Sequence, residues 1–248
     1  MGTGTSLGVP IIGCDCAVCR SADPHDKRTR SSLLIETQGR TFVIDTGPDF
    51  RSQCLINNVR HIDAVLITHP HRDHLAGLDD IRPFCYLQRQ DIPVYGSKLS
   101  CDAIRHDYSY CFANPKYPGV PDIELHEIAD QPFRVCGVEF VPFTVMHAKM
   151  AVTGYRTGDF TYITDASLIP GESIDKIRGT KHLVVNALRI EPPHPSHFTL
   201  PQALDFIAET APDEAYITHI GHAIGHKQAQ AALPPNVHLA YDGLTLEF

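Results

Sequence analysis

The sequence predicts an α/β protein with two strand-rich halves, each carrying helices, which fits two sheets packed face to face with helices outside. Short apolar runs of strand length recur in both halves, between segments of helical period. No repeat or low-complexity tract interrupts them. At 248 residues the chain can bury one large core, so residues 1–248 are expected to form a single domain. Periodicity alone leaves several α/β arrangements open.

Taken in order, residues 31–36 and 41–45 read as paired strands around a Gln38-Gly39 turn. Residues 64–67 are short and apolar, a buried strand that runs into a histidine-rich loop. Leu75, Leu78 and Ile81 recur at helical spacing, so a helix is expected over 74–81. A strand follows at 92–95, and Ser100 is expected to cap the next helix, before the proline-containing segment 113–121. Residues 133–141 read as a hairpin about Cys136-Gly137, and 152–156 with 160–163 as another about Gly158-Asp159. A strand covers 183–185, and Thr199 caps a helix through Ala203, Leu204 and Ile207. Asp242-Gly243 is expected to turn a C-terminal hairpin.

Composition is that of a soluble globular protein, with 43% hydrophobic and 20% charged residues. No apolar stretch is long enough to span a membrane. The formal net charge of -8 argues against a general nucleic-acid binder. Eight cysteines without an export signal suggest reduced thiols in a cytoplasm.

The run His69-Pro70-His71-Arg72-Asp73-His74 carries the chemistry. Imidazole and carboxylate together suit borderline divalent ions such as zinc or manganese. His69 and His71 alternate and can face one side of an extended loop, while Asp73 and His74 can reach a second ion across the turn. A polar loop of solvated histidines would explain one isolated histidine, but not four ligand-type residues at this spacing after a buried strand.

HxHxDH after a buried strand resembles the signature of the metallo-β-lactamase superfamily of binuclear hydrolases. The resemblance implies a metallo-β-lactamase-like αββα sandwich, two packed β-sheets with helices on the outer faces. It also implies further ligands, matched by His147 after 145–146, Asp165 closing 160–164 and His219 closing 215–218. On the family pattern His69, His71 and His147 hold one ion, Asp73, His74 and His219 the second, and Asp165 bridges. Asp45 matches a carboxylate that orients ligand histidines. Members usually begin with a strand feeding Gly2-Thr3-Gly4-Thr5-Ser6, whereas only Met1 precedes that segment here, which leaves open whether the strand is missing or the sequence starts late. The glycines of this segment lack nucleotide-loop spacing and are expected to serve tight turns.

Cys14, Cys16 and Cys19 form CxCxxC, and His222 follows His219 by three residues. Three thiolates and one imidazole make a closed tetrahedral zinc site of the structural kind. Three such close cysteines are poorly suited to disulfides, and no thioredoxin-like context surrounds them. With this zinc and two active-site metals, the net charge becomes about -5. The remaining Cys54, Cys85, Cys101, Cys111 and Cys136 are expected to be buried free thiols. His25, His61, His106, His126, His182, His194, His226 and His238 are expected at the surface or in loops without a role. Arg28, Arg30, Arg51 and Arg189 lie near the motifs as candidate anion contacts, with a solvated arginine the preferred reading of each.

The combined motifs resemble the phosphoribosyl 1,2-cyclic phosphate phosphodiesterase branch. That resemblance implies hydrolysis of a small, cyclic phosphodiester by a hydroxide shared between two zinc or manganese ions, with Asp73 at the catalytic centre and His197 as the acid for the leaving oxygen. The chain departs from the branch at Asn186-Ala187-Leu188-Arg189, where the phosphodiesterase reads Asp-Cys-Ser-His near the substrate pocket. The alternatives are an RNA-processing nuclease, a thioesterase or lactamase, and a non-catalytic zinc-stapled binding protein. The expected partner is a small anionic phosphodiester, with no membrane or nucleic acid; a homodimer is allowed.

Overall fold

In the computed structural model, residues 1–247 are described, and they build two mixed sheets. The first has strands β1 (Leu33–Thr37), β2 (Arg40–Ile44), β3 (Ala64–Leu66), β4 (Ile92–Gly96) and β5 (Ile123–Glu127), side by side in that order. Only the β1–β2 pair is antiparallel. The second contains β6 (Phe133–Val135), β7 (Val138–His147), β8 (Met150–Thr157), β9 (Phe160–Tyr162), β10 (His182–Asn186), β11 (Glu214–Thr218) and β12 (Val237–Leu239), also in chain order across the sheet. Its β6–β9 half is antiparallel and its β9–β12 half parallel.

Successive strand residues point to opposite faces, and both faces here are apolar. Phe42, Ile44, Ala64 and Leu66 meet Val138, Phe140, Tyr155 and Tyr162 between the sheets. The Phe42 and Phe140 rings pack edge to face at 5.2 Å. On the first sheet's outer face, Val43, Val65 and Val94 pack with residues of α1 (Phe50–Ile56), α3 (Arg82–Gln88) and α4 (Lys98–Asp107). On the second's, Leu183, Val185 and Ile217 pack with α5 (Gly171–Ile177), α6 (Leu200–Thr210) and α7 (His226–Gln230). These are the four layers of the expected αββα sandwich.

Several local expectations change. The helix expected over 74–81 starts earlier, as α2 (Arg72–Leu75), and breaks at Gly77 before a 3-10 turn, Leu78–Ile81. At Gly77 the chain presses on Gly47, whose carbonyl would lie 2.1 Å from an added Cβ. Ser97, not Ser100, caps α4; Ser100 is buried inside it. Thr199 caps α6 as expected, in a reciprocal box with Gln202. The C-terminal hairpin is absent among the described residues: β12 pairs parallel to β11, and Asp242 serves as a clamp. Its carboxylate accepts from both the backbone and hydroxyl of Thr3 (2.9 and 2.8 Å) and of Thr29 (2.7 and 2.6 Å).

Gly2 allows close approach rather than a tight turn, since a Cβ there would stand 2.1 Å from the Arg30 carbonyl. Cys136 is exposed at its hairpin, unlike the other four cysteines outside the CxCxxC loop. His226 and Arg28 are buried, against expectation. Arg28 pairs with Asp26 at 2.9 Å and donates to the carbonyls of Gly221 (3.1 Å) and Ile224 (2.9 Å) on either side of His222. No helix of the described residues is long and apolar enough to cross a membrane.

Candidate metal centre

The parallel strands deliver their carboxyl ends to one edge of the sandwich, where α/β folds commonly place their sites. Asp45 follows β2, Thr68 and His69 follow β3, Asp165 follows β9, and His219 follows β11, while His147 ends β7. Asp45, Asp165 and His219 have positive φ values of 64°, 58° and 53°, a left-handed geometry uncommon for residues other than glycine. Each strand therefore turns sharply as it leaves the sheet, a strain found where side-chain direction matters more than backbone comfort.

The side chains converge. His69 Nε2 lies 3.0 Å from His71 Nδ1. The His69 ring stands 5.9 Å from that of His147, and the His71 ring 5.1 Å. His74 Nε2 lies 3.3 Å from Asp73 Oδ2 and 3.1 Å from Asp165 Oδ2; His219 Nε2 lies 3.6 Å from Asp73 Oδ2 and 3.3 Å from Asp165 Oδ1. Asp165 thus faces both imidazoles. Yet His74 Nε2 and His219 Nε2 are buried without a partner in hydrogen-bond geometry. Ligand atoms about 2.0–2.1 Å from a tetrahedral ion stand roughly 3.3 Å apart, so these spacings fit a divalent cation better than hydrogen bonds. His69, His74 and Asp165 form one metal-sized group, and Asp73, His74 and His219 another.

The outward faces of these ligands are also held. Asp45, fully buried, accepts from the Thr68 N–H and hydroxyl (both 2.8 Å) and from His74 Nδ1 (2.7 Å). The Thr68 hydroxyl lies 3.0 Å from His69 Nδ1. His147 Nδ1 donates to the Ser196 carbonyl at 2.7 Å, which turns Nε2 toward the cluster. Thr164 donates to Asp165 at 2.6 Å.

Electrostatics agree with a cation-binding role. Burial lowers the basicity of His69 far below its usual value, aided by His74, which keeps the ring in its neutral, ligating form. Burial also works against charge on His74, but Asp165 and Asp45 outweigh it and hold that ring protonated. Burial would raise Asp73, but the His219 and His74 imidazoles beside it keep it below the usual carboxylate range. The proton on buried His74 thus offsets the surrounding carboxylates, a task that divalent ions would take over.

His197 lies closer to this cluster than a flanking acid need be. Its Nδ1 is 3.5 Å from Asp165 Oδ1, its ring 4.6 Å from that of His147 and 4.9 Å from that of His219. With His147 and Asp165 it forms a further metal-sized group. Burial first, then the field of His219, pushes it down to about 3, well below the near-neutral value of an unperturbed imidazole.

Thr68, Ser196 and Asn186 went unrecognised as supports. Thr68 alone had a local signal, a hydroxyl directly before the first ligand histidine. Asn186 is fully buried and exchanges hydrogen bonds of 2.7 and 2.9 Å with the backbone of Ala166. It braces the turn after Asp165 and is not a pocket residue.

At the opposite side of the His219 loop, Cys14, Cys16 and Cys19 place their sulfurs 3.3, 3.5 and 3.6 Å from His222 Nδ1. These edges suit a tetrahedral zinc, for which Zn–S of about 2.3 Å implies separations near 3.5 Å. The Cys19 backbone N–H, chiefly, pulls the Cys16 thiol down to about 6, whereas burial pushes Cys19 up to about 11. Cys16 is therefore favoured as a thiolate without an ion, and a Cys19 thiolate would require one. All eight cysteines are free of disulfides.

Comparison with known proteins agrees with this geometry. A β-lactamase superfamily domain model matches residues 40–220. The chain is 42% identical over 247 residues to a protein of Porphyromonas gingivalis named octanoyltransferase, covering 98% of this chain and 50% of that one. It thus spans about half the length of that relative. A crystal structure described as a new diphosphatase from the PhnP family is 39% identical, superposes with a TM-score of 0.94, and covers 100% of this chain and 94% of its own. Zinc-bound PqqB from Methylobacterium extorquens shares the fold at 20% identity and a TM-score of 0.79, covering 100% and 98% of the two chains.

Proposed function

We propose, for a chain that belongs to the metallo-β-lactamase superfamily, a metal-dependent hydrolase that splits a P–O bond in a small phosphodiester or diphosphate. The observation that carries this reading is Asp165, whose two oxygens face His74 and His219 at 3.1 and 3.3 Å within a ring of further ligand groups. His69, His71 and His147 would hold one ion, Asp73, His74 and His219 the other, with Asp165 shared. When bound, two divalent ions polarise a phosphoryl oxygen and acidify water from a pKa of about 15.7 towards 7.

The chain's own residues then have distinct tasks. Asp45 and Thr68 fix the His74 and His69 rings from behind, and the Ser196 carbonyl fixes His147. His197, buried against Asp165, would stand beside the departing oxygen, and the negative charge of a bound phosphate must raise the ring's basicity from about 3 before it can supply the proton that this oxygen gains as the P–O bond breaks and water adds to phosphorus. Cys14, Cys16, Cys19 and His222 would hold a structural zinc with no position left for substrate.

The full set of candidate ligands favours a hydrolase over a zinc-stapled binding protein, and the acidic balance disfavours a nuclease. Diphosphate cleavage is a second reading, favoured by the 39% identity to a diphosphatase. The octanoyltransferase name belongs to a protein of about twice this length, so acyl chemistry is an arm of the test.

That test is a substrate panel with zinc or manganese: bis(p-nitrophenyl) phosphate, a ribosyl cyclic phosphodiester, a nucleoside diphosphate sugar, a phosphomonoester, an octanoyl thioester and a β-lactam. The expected result is metal-dependent turnover of a diester or diphosphate above all others. Faster turnover of the thioester or lactam would overturn the reading.

A further inference from the structure

The loop between β10 and α6 carries two donors that the chemistry above leaves unused. Its base is fixed: Leu188 N–H donates to the Phe198 carbonyl at 3.0 Å, and Leu200 N–H to that of Arg189 at 2.8 Å. Arg189 then turns its guanidinium into the loop, donating from Nε to the Pro192 carbonyl (2.7 Å) and from Nη2 to that of Pro193 (3.1 Å). Carbonyls orient a guanidinium without neutralising it. Among the described residues, no ion pair to a carboxylate is formed by Arg189, in a chain of net charge -8. Its Nη1 donors remain unspent.

His194 completes the arrangement. Its Nδ1 accepts from the Ser196 N–H at 3.3 Å, which leaves the ring proton on Nε2. The ring is half-buried and stands 5.1 Å from that of His197. Proceeding outward from Asp165, the order is therefore His197, then His194, with the Arg189 guanidinium held on the Pro192 and Pro193 carbonyls directly before His194. Since His197 serves the departing oxygen, the next group outward meets the leaving half of the substrate.

We propose that Arg189 and His194 form a subsite for a phosphate on the leaving half of the substrate, making a diphosphate the preferred substrate class. The inference rests on the phosphohydrolase reading and decides between its two forms. A departing phosphate gains negative charge as the P–O–P bridge breaks, and an unneutralised guanidinium is suited to meet it; an alkoxide leaving group offers no such partner.

The test uses manganese-loaded protein and two probes that cannot be hydrolysed, methylenediphosphonate and methylphosphonate, with affinities from calorimetry. Unaltered protein should bind the bisphosphonate about 10- to 100-fold more tightly, the worth of one or two charge-assisted hydrogen bonds. Arg189→Met should remove most of that preference and His194→Ala part of it, with melting temperature and metal content as controls for folding. A preference retained by both variants would overturn the subsite, as would equal binding of the two probes by the unaltered protein. Binding of neither probe would overturn the phosphohydrolase reading itself, and the subsite with it.

Discussion

Replacing Asp45 with Asn tests how far the metal site depends on a residue that touches no metal. The carboxylate spends one oxygen on the Thr68 N–H and the other on both the Thr68 hydroxyl and His74 Nδ1. An Asn side chain has one oxygen and one donor. Kept toward the hydroxyl and His74, its oxygen preserves two contacts and sets the amide NH2 against the Thr68 N–H. One buried N–H is then unsatisfied, costing about 1–3 kcal/mol, or roughly 2–10 °C in melting temperature at this chain length. His74 also loses a charged partner, and such losses weaken metal affinity by about 10- to 100-fold. Thr68→Val provides the comparison: it removes the hydroxyl that links Asp45 to His69 Nδ1 and leaves His74 supported. Metal retention against a chelator of graded concentration should fall much further in Asp45→Asn than in Thr68→Val. Equal retention, or an Asp45→Asn affinity within threefold of the unaltered protein, would refute the role given to Asp45.

Cys16→Ser should lower the melting temperature and remove the zinc held with His222, after which activity declines as His219 loses its anchor; an unchanged melt with that zinc still bound would deny the staple. Arg28→Met leaves Asp26 as an unpaired buried charge beside two abandoned carbonyls, Gly221 and Ile224, and should cost about 3–5 kcal/mol in chemical denaturation. Adding Asp26→Asn should recover part of that loss, and no recovery would mean that the carbonyl contacts dominate. His197→Ala should slow an alkyl phosphodiester by about 10²–10⁴-fold but a nitrophenyl ester far less, since nitrophenolate leaves without a proton. Equal losses on both would make His197 a positioning residue.

Legibility followed from locality. The hairpin at Gln38-Gly39 and the cap at Thr199 are written in adjacent residues, and both formed where expected. The histidine loop was equally legible, because its four ligand-type residues fall within six positions and follow a fully buried strand. What failed depended on distant partners. Gly77, where the helix breaks, packs on the Gly47 carbonyl, and among the described residues no hairpin forms about Asp242-Gly243, where the Asp242 carboxylate is engaged by Thr3 and Thr29. Arg28 read as a solvated cation because, beyond the nearby Asp26, its carbonyl partners at Gly221 and Ile224 lie almost two hundred residues away. The same limit hid Ser196 and Asn186, which act through backbone groups that no local pattern displays.

Metal stoichiometry tests the central claim most directly. Elemental analysis of purified protein, set beside that of Asp165→Asn and Cys16→Ser, should give about three divalent ions per chain in the unaltered protein. Asp165→Asn should keep zinc in the cysteine site while losing ions from the His/Asp cluster, and Cys16→Ser should show the reverse. A single ion per chain, unaffected by Asp165→Asn, would contradict the two-metal centre and leave a zinc-stapled binding protein in its place.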